Sequence, residues 1–167
     1  MVIMKCATAI IIAGILLLGC HKVTPVILDG TLTTCPANNT CTYSYYESAD
    51  FTGYQPTHGN YRVFWYKSTN HTVCGATTQL YFKTSLSNNN FDIDAGQAAA
   101  GLVAYNYNCA CCYIASQLKP TGGEVKGKRV DATHWPVNAT VILANPQNVP
   151  IDTLKVNQYF ELTSLPQ

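Results

Sequence analysis

Cysteine is the residue type that could carry the most chemistry in this chain. Eight cysteines are present, and those beyond residue 30 are Cys35, Cys41, Cys74, Cys109, Cys111 and Cys112. In an oxidising compartment, an even set of cysteines more often forms a disulfide framework than any other kind of site. The sequence alone does not choose among the possible pairings, but the short, turn-rich loop between Cys35 and Cys41 favours a bond between these two residues.

The run Cys109-Ala-Cys111-Cys112 is the densest cysteine motif. On a strand, Cys109 and Cys111 would face one way about 7 Å apart, with Cys112 on the opposite face. That spacing is poor for a mutual bond, so at least one of them is expected to reach another segment, for instance at Cys74. Two alternatives remain open. The thiolates of Cys109 and Cys111 could bind zinc or Cu(I) together with His58, His71 or His134. Alternatively, a strained Cys111–Cys112 disulfide could be redox-active.

An acid and an imidazole come close together in Asp131-Ala-Thr-His134. With a cysteine, such a pair could form a nucleophilic site. The simpler interpretation is a turn at the edge of a strand with solvated side chains. The sequence has no Gly-x-Ser-x-Gly, His-Glu-x-x-His or phosphate-binding glycine loop. The sequence therefore gives no basis for naming catalytic residues and leans against an enzyme.

Aromatic side chains offer a second kind of site. Tyr54, Trp65 and Trp135 could stack on a sugar or a peptide if they are exposed. Residues of this type more often pack in the core or across neighbouring strands of a β domain.

The composition indicates the fold class. Tyr, Thr and Asn are abundant, whereas Glu is scarce, which favours a mostly β domain. Charged residues make up only 11% of the chain, with a net charge of +1. Because there is no basic stripe, nucleic acid is not expected as a partner.

Short strands with turns between them predict an antiparallel β-sandwich or barrel of about seven to eight strands. Tyr61–Lys67 is apolar on both faces and should be a central strand. Asp94 and Gln97 fit a capping box, which favours one short helix near Ala95–Tyr105. Gly96 and Gly101 are unfavourable in a helix and argue against it. The predicted strands are 26–28, 42–46, 61–67, 79–85, 105–113, 125–130, 135–143 and 153–162.

The first residues have the pattern of a secretory leader. Lys5 precedes an apolar run, Ala7–Leu18, of about a dozen residues, which fits a signal peptide and is too short to span a bilayer. The run ends in Leu17-Leu18-Gly19-Cys20, which resembles the lipobox of bacterial lipoproteins, with Leu18 departing from the usual small residue. The resemblance covers only the leader. The alternative is an ordinary signal peptide, with Cys20 a normal disulfide cysteine.

The resemblance implies cleavage before Cys20 and attachment of acyl chains such as palmitate to this residue, anchoring the protein to a membrane. Residues 1–19 would be the signal peptide, 20–25 the lipidated cysteine and a short tether, and 26–167 a single β-rich domain. Because no Asp follows Cys20, the outer membrane is favoured over the inner one.

These observations together predict a cell-envelope lipoprotein with no cofactor apart from its covalent lipid. The domain would act as a binding or structural module whose partner is an envelope protein or a glycan. The alternatives are a glycan- or peptide-binding module that uses exposed Tyr and Trp residues, and a thiol-based metal or redox protein.

Overall fold

The computed structural model of the chain describes residues 30–52, 55–111 and 117–166, and strands dominate this part. Its nine strands are β1 (Asn39–Thr52), β2 (Gln55–His58), β3 (Tyr61–Asn70), β4 (Thr77–Ser85), β5 (Asn90–Ile93), β6 (Val103–Asn108), β7 (Lys119–Lys128), β8 (His134–Ala144) and β9 (Pro150–Leu162). A three-residue helix, α1 (Ala95–Gln97), continues into one π-helical turn, Ala98–Leu102. The prediction of a mostly β domain with one short helix is confirmed.

The strands form one mixed sheet in the order β5-β7-β8-β9-β1-β3-β4-β6, with β2 paired to β1. Every pair is antiparallel except β1 with β9, which are parallel through Ser44 opposite Glu161 and Tyr45 opposite Leu162. The sheet is not closed into a barrel, because β6 at one end of the order has no ladder with β5 or β7 at the other. The predicted strand at 26–28 lies outside the described residues.

The sheet curls around a main aromatic core, and a smaller cluster of Tyr46, Ala49, Val63 and Tyr81 is buried separately. Phe64 of β3 lies 5.4 Å from Trp135 of β8 and 5.7 Å from Phe160 of β9, measured between ring centroids, and all three side chains are fully buried. Burying a side chain of this size stabilises a fold by about 1.5–3 kcal/mol. Because β3 lies between β1 and β4 in the sheet, its prediction as a central strand is confirmed.

The helical segment covers the gap between the two edge regions of the sheet. It packs against β7 and contacts β4 and β6. It begins with the expected capping box: the backbone N–H of Gln97 donates to Asp94 Oδ1 at 2.8 Å, and the Asp94 N–H donates to Gln97 Oε1 at 3.0 Å. Gly101 ends it with a φ of 97°, a conformation that glycine adopts without steric cost.

The strand register defines two ends of the sheet along the direction of the strands. Asn39 pairs with Asn70 at one end of the β1–β3 ladder, and Ala49 pairs with Tyr61 at the other. The first end carries the disulfides and is called the cystine end. The second carries Glu47, Arg62 and the turn at residues 129–134, and is called the charged end.

Candidate functional site

A groove with a volume of about 770 Å³ runs along the junction of β1 and β9. The β1–β9 ladder covers only two residue pairs, so the two strands leave open space beside it. The groove is lined by Thr42 and Tyr43 of β1, His134 of β8, Tyr159 and Glu161 of β9, and Thr163. Its walls therefore mix hydroxyl, carboxylate and imidazole groups with aromatic rings.

Strand register places the charged groups of the groove. His134 pairs with Glu161 across the β8–β9 ladder, and its Nε2 lies 3.9 Å from Glu161 Oε1. Its Nδ1 lies 2.9 Å from Asp131 Oδ2. With neutral His134, the proton is held on Nδ1, which donates to Asp131, and Nε2 is left as a hydrogen-bond acceptor.

The turn before β8 orients Asp131. Its Oδ1 accepts the backbone N–H groups of Thr133 at 2.7 Å and His134 at 2.8 Å. The Thr133 hydrogen bond, followed by the His134 side chain, lowers the pKa of the Asp131 carboxyl to about 2. Asp131 is thus a fixed anion that holds the imidazole in place.

A cysteine nucleophile for His134 is not assembled in the groove. Cys41 also lines it, but its sulfur is bonded to Cys35, and a disulfide sulfur offers no thiolate. The side chains of His134 and Asp131 are 40% and 54% exposed, so water competes for their hydrogen bonds. The arrangement is suited to holding a polar ligand by hydrogen bonds and provides no nucleophilic pair with Cys41.

Tyr159 is the aromatic residue that the sequence analysis missed. It is 44% exposed on the groove wall, whereas its neighbour Phe160 is fully buried. The alternation of β9 was the available signal, since inward Phe160 requires outward Tyr159. Tyr43, on the other wall, stacks on Tyr66 with 5.2 Å between ring centroids. Burial and then the neighbouring Tyr66 raise the pKa of Tyr43 to about 12, so its hydroxyl stays protonated at neutral pH.

Of the three predicted ligand-binding aromatic residues, the structure describes Trp65 and Trp135, and it does not bring these two together. Trp135 is fully buried in the core, which removes it from any exposed platform. Trp65 is half-buried on the outer face, where it stacks on Tyr81 with a centroid distance of 5.8 Å. Tyr54 lies outside the described residues. Trp135 faces inward because its β8 register places it opposite Phe160.

The cysteines that the structure describes beyond residue 30 are disulfide-bonded, as expected. Cys35 is bonded to Cys41 and Cys74 to Cys111. This confirms both the predicted bond across the short loop and the predicted link from Cys74 to the cysteine-rich motif. Cys109 is also disulfide-bonded. The strand predicted to carry these cysteines ends at Asn108, because its partner β4 begins opposite, at Thr77.

Two predicted cysteine sites, Cys112 and the lipidation site Cys20, lie outside the described residues. The alternative of a metal site at Cys109, Cys111 and His134 would need free thiolates, and both of these cysteines are disulfide-bonded. No group of three His, Cys, Asp or Glu side chains is placed to hold a metal ion within residues 30–52, 55–111 and 117–166.

In the part of the chain that the structure describes, no helix has the length and apolarity needed to cross a membrane. No known protein family matches the chain, and no curated protein or solved structure is significantly similar to it.

Proposed function

We propose that the chain is a cell-envelope lipoprotein, anchored through Cys20, whose β domain is a binding or structural module. The observation that carries this proposal is the sequence Leu17-Leu18-Gly19-Cys20 at the end of a leader-like apolar run. A cysteine directly after such a run and a glycine is the arrangement that lipoprotein processing uses. The residues after Cys20 favour the outer membrane, since no Asp follows it.

The disulfides support export of the domain. Cys35–Cys41 and Cys74–Cys111 join segments 6 and 37 residues apart, and Cys109 is bonded as well. Disulfides persist in oxidising compartments and are rare where glutathione keeps thiols reduced. A leader and a disulfide framework are independent features that favour the same compartment.

The way in which the chain enters the domain fits a short tether. The backbone N–H of Thr33 donates to the Asn157 carbonyl at 2.8 Å, and the Asn157 N–H donates to Thr33 Oγ1 at 2.7 Å. Gly30 follows Cys20 by ten positions, and an extended chain over ten steps reaches about 35 Å at most. Lipidated Cys20 would therefore hold the domain close to the membrane surface.

Replacing Cys20 tests the anchor. In a bacterial host supplied with labelled palmitate, the wild-type protein should carry the label and sediment with membranes, whereas Cys20→Ser should do neither. Cys6→Ser is the matched control, because Cys6 lies in the leader and should be removed with it. A Cys20→Ser protein that keeps both label and membrane association would refute the proposal.

A second candidate function is glycan or peptide binding in the β1–β9 groove. The half-exposed Tyr159 ring lies beside hydroxyl, carboxylate and imidazole groups, a combination that can stack on a ligand and also bond to it. Soluble chito-oligosaccharides and short polar peptides are suitable probes for titration followed by NMR.

The titration has a matched control. Binding should weaken about tenfold in Tyr159→Ala, as expected for loss of roughly 1.4 kcal/mol of contact. It should persist in Tyr61→Ala, because Tyr61 is also partly exposed, at 37%, but does not line the groove. Equal affinity of the two variants would place the binding elsewhere.

A further inference from the structure

Two hydrogen-bond acceptors lie next to each other on the wall of the β1–β9 groove. The first is Nε2 of neutral His134, whose ring is held because Nδ1 donates to Asp131 Oδ2 at 2.9 Å. The second is Glu161 Oε1, 3.9 Å from that nitrogen. This separation is too long for a hydrogen bond, and every hydrogen bond of the His134 ring within the described residues is made at Nδ1. Both acceptors are therefore open to a ligand that donates.

The electrostatics of the groove favour a cationic ligand. Among the described residues that line it, Glu161 supplies a carboxylate and no lysine or arginine is present. The ionised Asp131 carboxylate lies behind the imidazole. Arg129, on the same turn, donates to the carbonyl oxygens of Asp131 and Ala132 at 2.9 and 3.4 Å and does not line the groove. A cation therefore complements the charge of the groove wall.

The spacing of the acceptors favours an ammonium group. An ammonium has three N–H donors and no acceptor, so it can donate to His134 Nε2 and Glu161 Oε1 together. A guanidinium instead presents a planar fork that matches the two oxygens of one carboxylate. The Tyr159 ring is 44% exposed on the same wall, where it can pack against an aliphatic stem and attract the charge at its end. These features together fit a lysine side chain.

The main chain of Tyr159 favours a lysine that belongs to an extended peptide. The β1–β9 ladder begins at Ser44 and Glu161, so Tyr159 has no partner residue in β1. Its N–H donates to the side chain of Gln158 at 2.9 Å. Its partner in β8 is Pro136, which has no N–H to give to the Tyr159 carbonyl. An extended peptide carries the N–H and C=O groups that such an unpaired strand position accepts.

We propose that the β1–β9 groove binds an extended peptide segment of a partner protein through a lysine side chain, whose ammonium donates to His134 Nε2 and Glu161 Oε1 and whose stem packs on Tyr159. The proposal rests on the candidate binding function of the groove and names its ligand class. Acidic segments are disfavoured, because their carboxylates would meet Glu161.

Two peptides that differ only in charge test the ammonium site. The first is Thr-Thr-Lys-Thr-Thr with blocked termini, and the second carries acetyl-lysine, which keeps the stem and loses the charge. In NMR titrations of the full mature protein, the lysine peptide should shift the amide signals of His134, Tyr159 and Glu161. The acetylated peptide should bind about tenfold more weakly. Equal affinity of the two peptides would overturn the proposal.

A pair of variants tests whether the preference arises in the groove. Glu161→Gln should weaken binding of the lysine peptide about fivefold, as expected for an exposed ion pair, and should reduce the preference over acetyl-lysine to about twofold. Glu124→Gln is the matched control, because this carboxylate is also exposed but pairs with Lys126 at 2.6 Å outside the groove. Equal weakening by the two variants, or none in Glu161→Gln, would overturn the proposal.

Failure of the ligand class is distinguishable from failure of the groove as a binding site. If both peptides shift the Tyr159 signal with equal affinity, the groove binds peptides and the ammonium site is wrong. If neither peptide shifts it but chito-oligosaccharides do, the groove is a glycan site and the peptide proposal is overturned. If none of these probes shifts it, both the ligand class and the binding function of the groove are overturned.

Discussion

At the cystine end of the sheet, covalent bonds join the turns to the strands, whereas at the charged end a buried guanidinium does so. Cys74–Cys111 ties the β3–β4 turn to the chain after β6. At the opposite end, Arg62 is 3% exposed and donates from Nε to Glu47 Oε1 at 2.8 Å. It also donates to the carbonyl oxygens of Asn88 at 2.8 Å and Leu86 at 3.1 Å.

Arg62 also links the charged end to the core. Its guanidinium lies 4.4 Å from the centroid of the Trp135 ring, a distance at which a cation is attracted to the face of an aromatic ring. The nearby turn is bonded to the core as well, since the Tyr45 hydroxyl donates to the Ala132 carbonyl at 3.1 Å. Arg62 thus connects the loop at residues 86–88, the Glu47 carboxylate and the buried Trp135 ring.

The two ends should therefore respond to different conditions. Reductants act on the cystine end and leave ion pairs intact, whereas acid acts on the charged end and leaves disulfides intact. An exported domain meets few reductants, so stapling one end covalently suits the proposed location.

The largest effect should come from removing the long disulfide. We expect Cys74→Ala/Cys111→Ala to lower the free energy of unfolding by about 4 kcal/mol, because the bond closes a loop across 37 residues and restricts the unfolded chain. Urea denaturation measures this change. A loss below about 1 kcal/mol would mean that the cystine end does not depend on its covalent bond.

Arg62→Met should have the next largest effect, about 3 kcal/mol of unfolding free energy. The substitution keeps much of the apolar stem but leaves Glu47 and two carbonyl groups without their donor. The matched control is Lys83→Met, which breaks a 3.1 Å pair with Asp50 that is partly exposed and should cost about 1 kcal/mol or less. Equal losses in urea denaturation would contradict the organising role of Arg62.

The short disulfide should contribute less than the long one. Cys35→Ala/Cys41→Ala removes a bond across 6 residues, so the same loop argument gives about 2 kcal/mol. Urea denaturation of this variant beside Cys74→Ala/Cys111→Ala gives the ratio directly. If the short bond contributes more than the long one, native contacts rather than loop closure determine the stability of the cystine end.

Acid should have the smallest effect, and only at the charged end. The pKa of Asp131 is lowered from 3.8 to about 2, so its contribution to stability is present above pH 4 and is lost as the pH falls through about 2. NMR should show the carboxyl carbon of Asp131 titrating near pH 2, together with the amide signals of Thr133 and His134. In Asp131→Asn these amide changes should vanish. A carboxyl midpoint near pH 4 would contradict the described turn.

Local patterns were sufficient for much of the fold. Apolar residues on both faces identified β3 as a central strand, and the Asp94–Gln97 capping box marked the start of the helix. The loop between Cys35 and Cys41 was short enough to indicate their bond. Each of these features depends on residues close together in the chain, where sequence spacing determines geometry.

Very short strands and features that depend on distant pairing were not predictable. The four-residue strands β2 and β5 are too short to show a period, so the sequence indicated seven or eight strands where the described residues alone form nine. The parallel contact of Ser44 with Glu161 joins residues 117 positions apart, and it creates the groove at Tyr159. Nothing local distinguishes buried Trp135 from half-buried Trp65, because only the curl of the sheet decides which face is inside.

The central claim is the proposal that an exported, lipid-anchored chain carries a domain whose described cysteines are all disulfide-bonded. Intact mass spectrometry of protein purified from host membranes, alkylated in denaturant without reduction, tests it most directly. We expect a chain that begins at Cys20, carries the added mass of acyl chains and shows no alkylation at the five described cysteines. A chain without acyl mass, or one with alkylated Cys35, Cys41, Cys74, Cys109 or Cys111, would contradict the account.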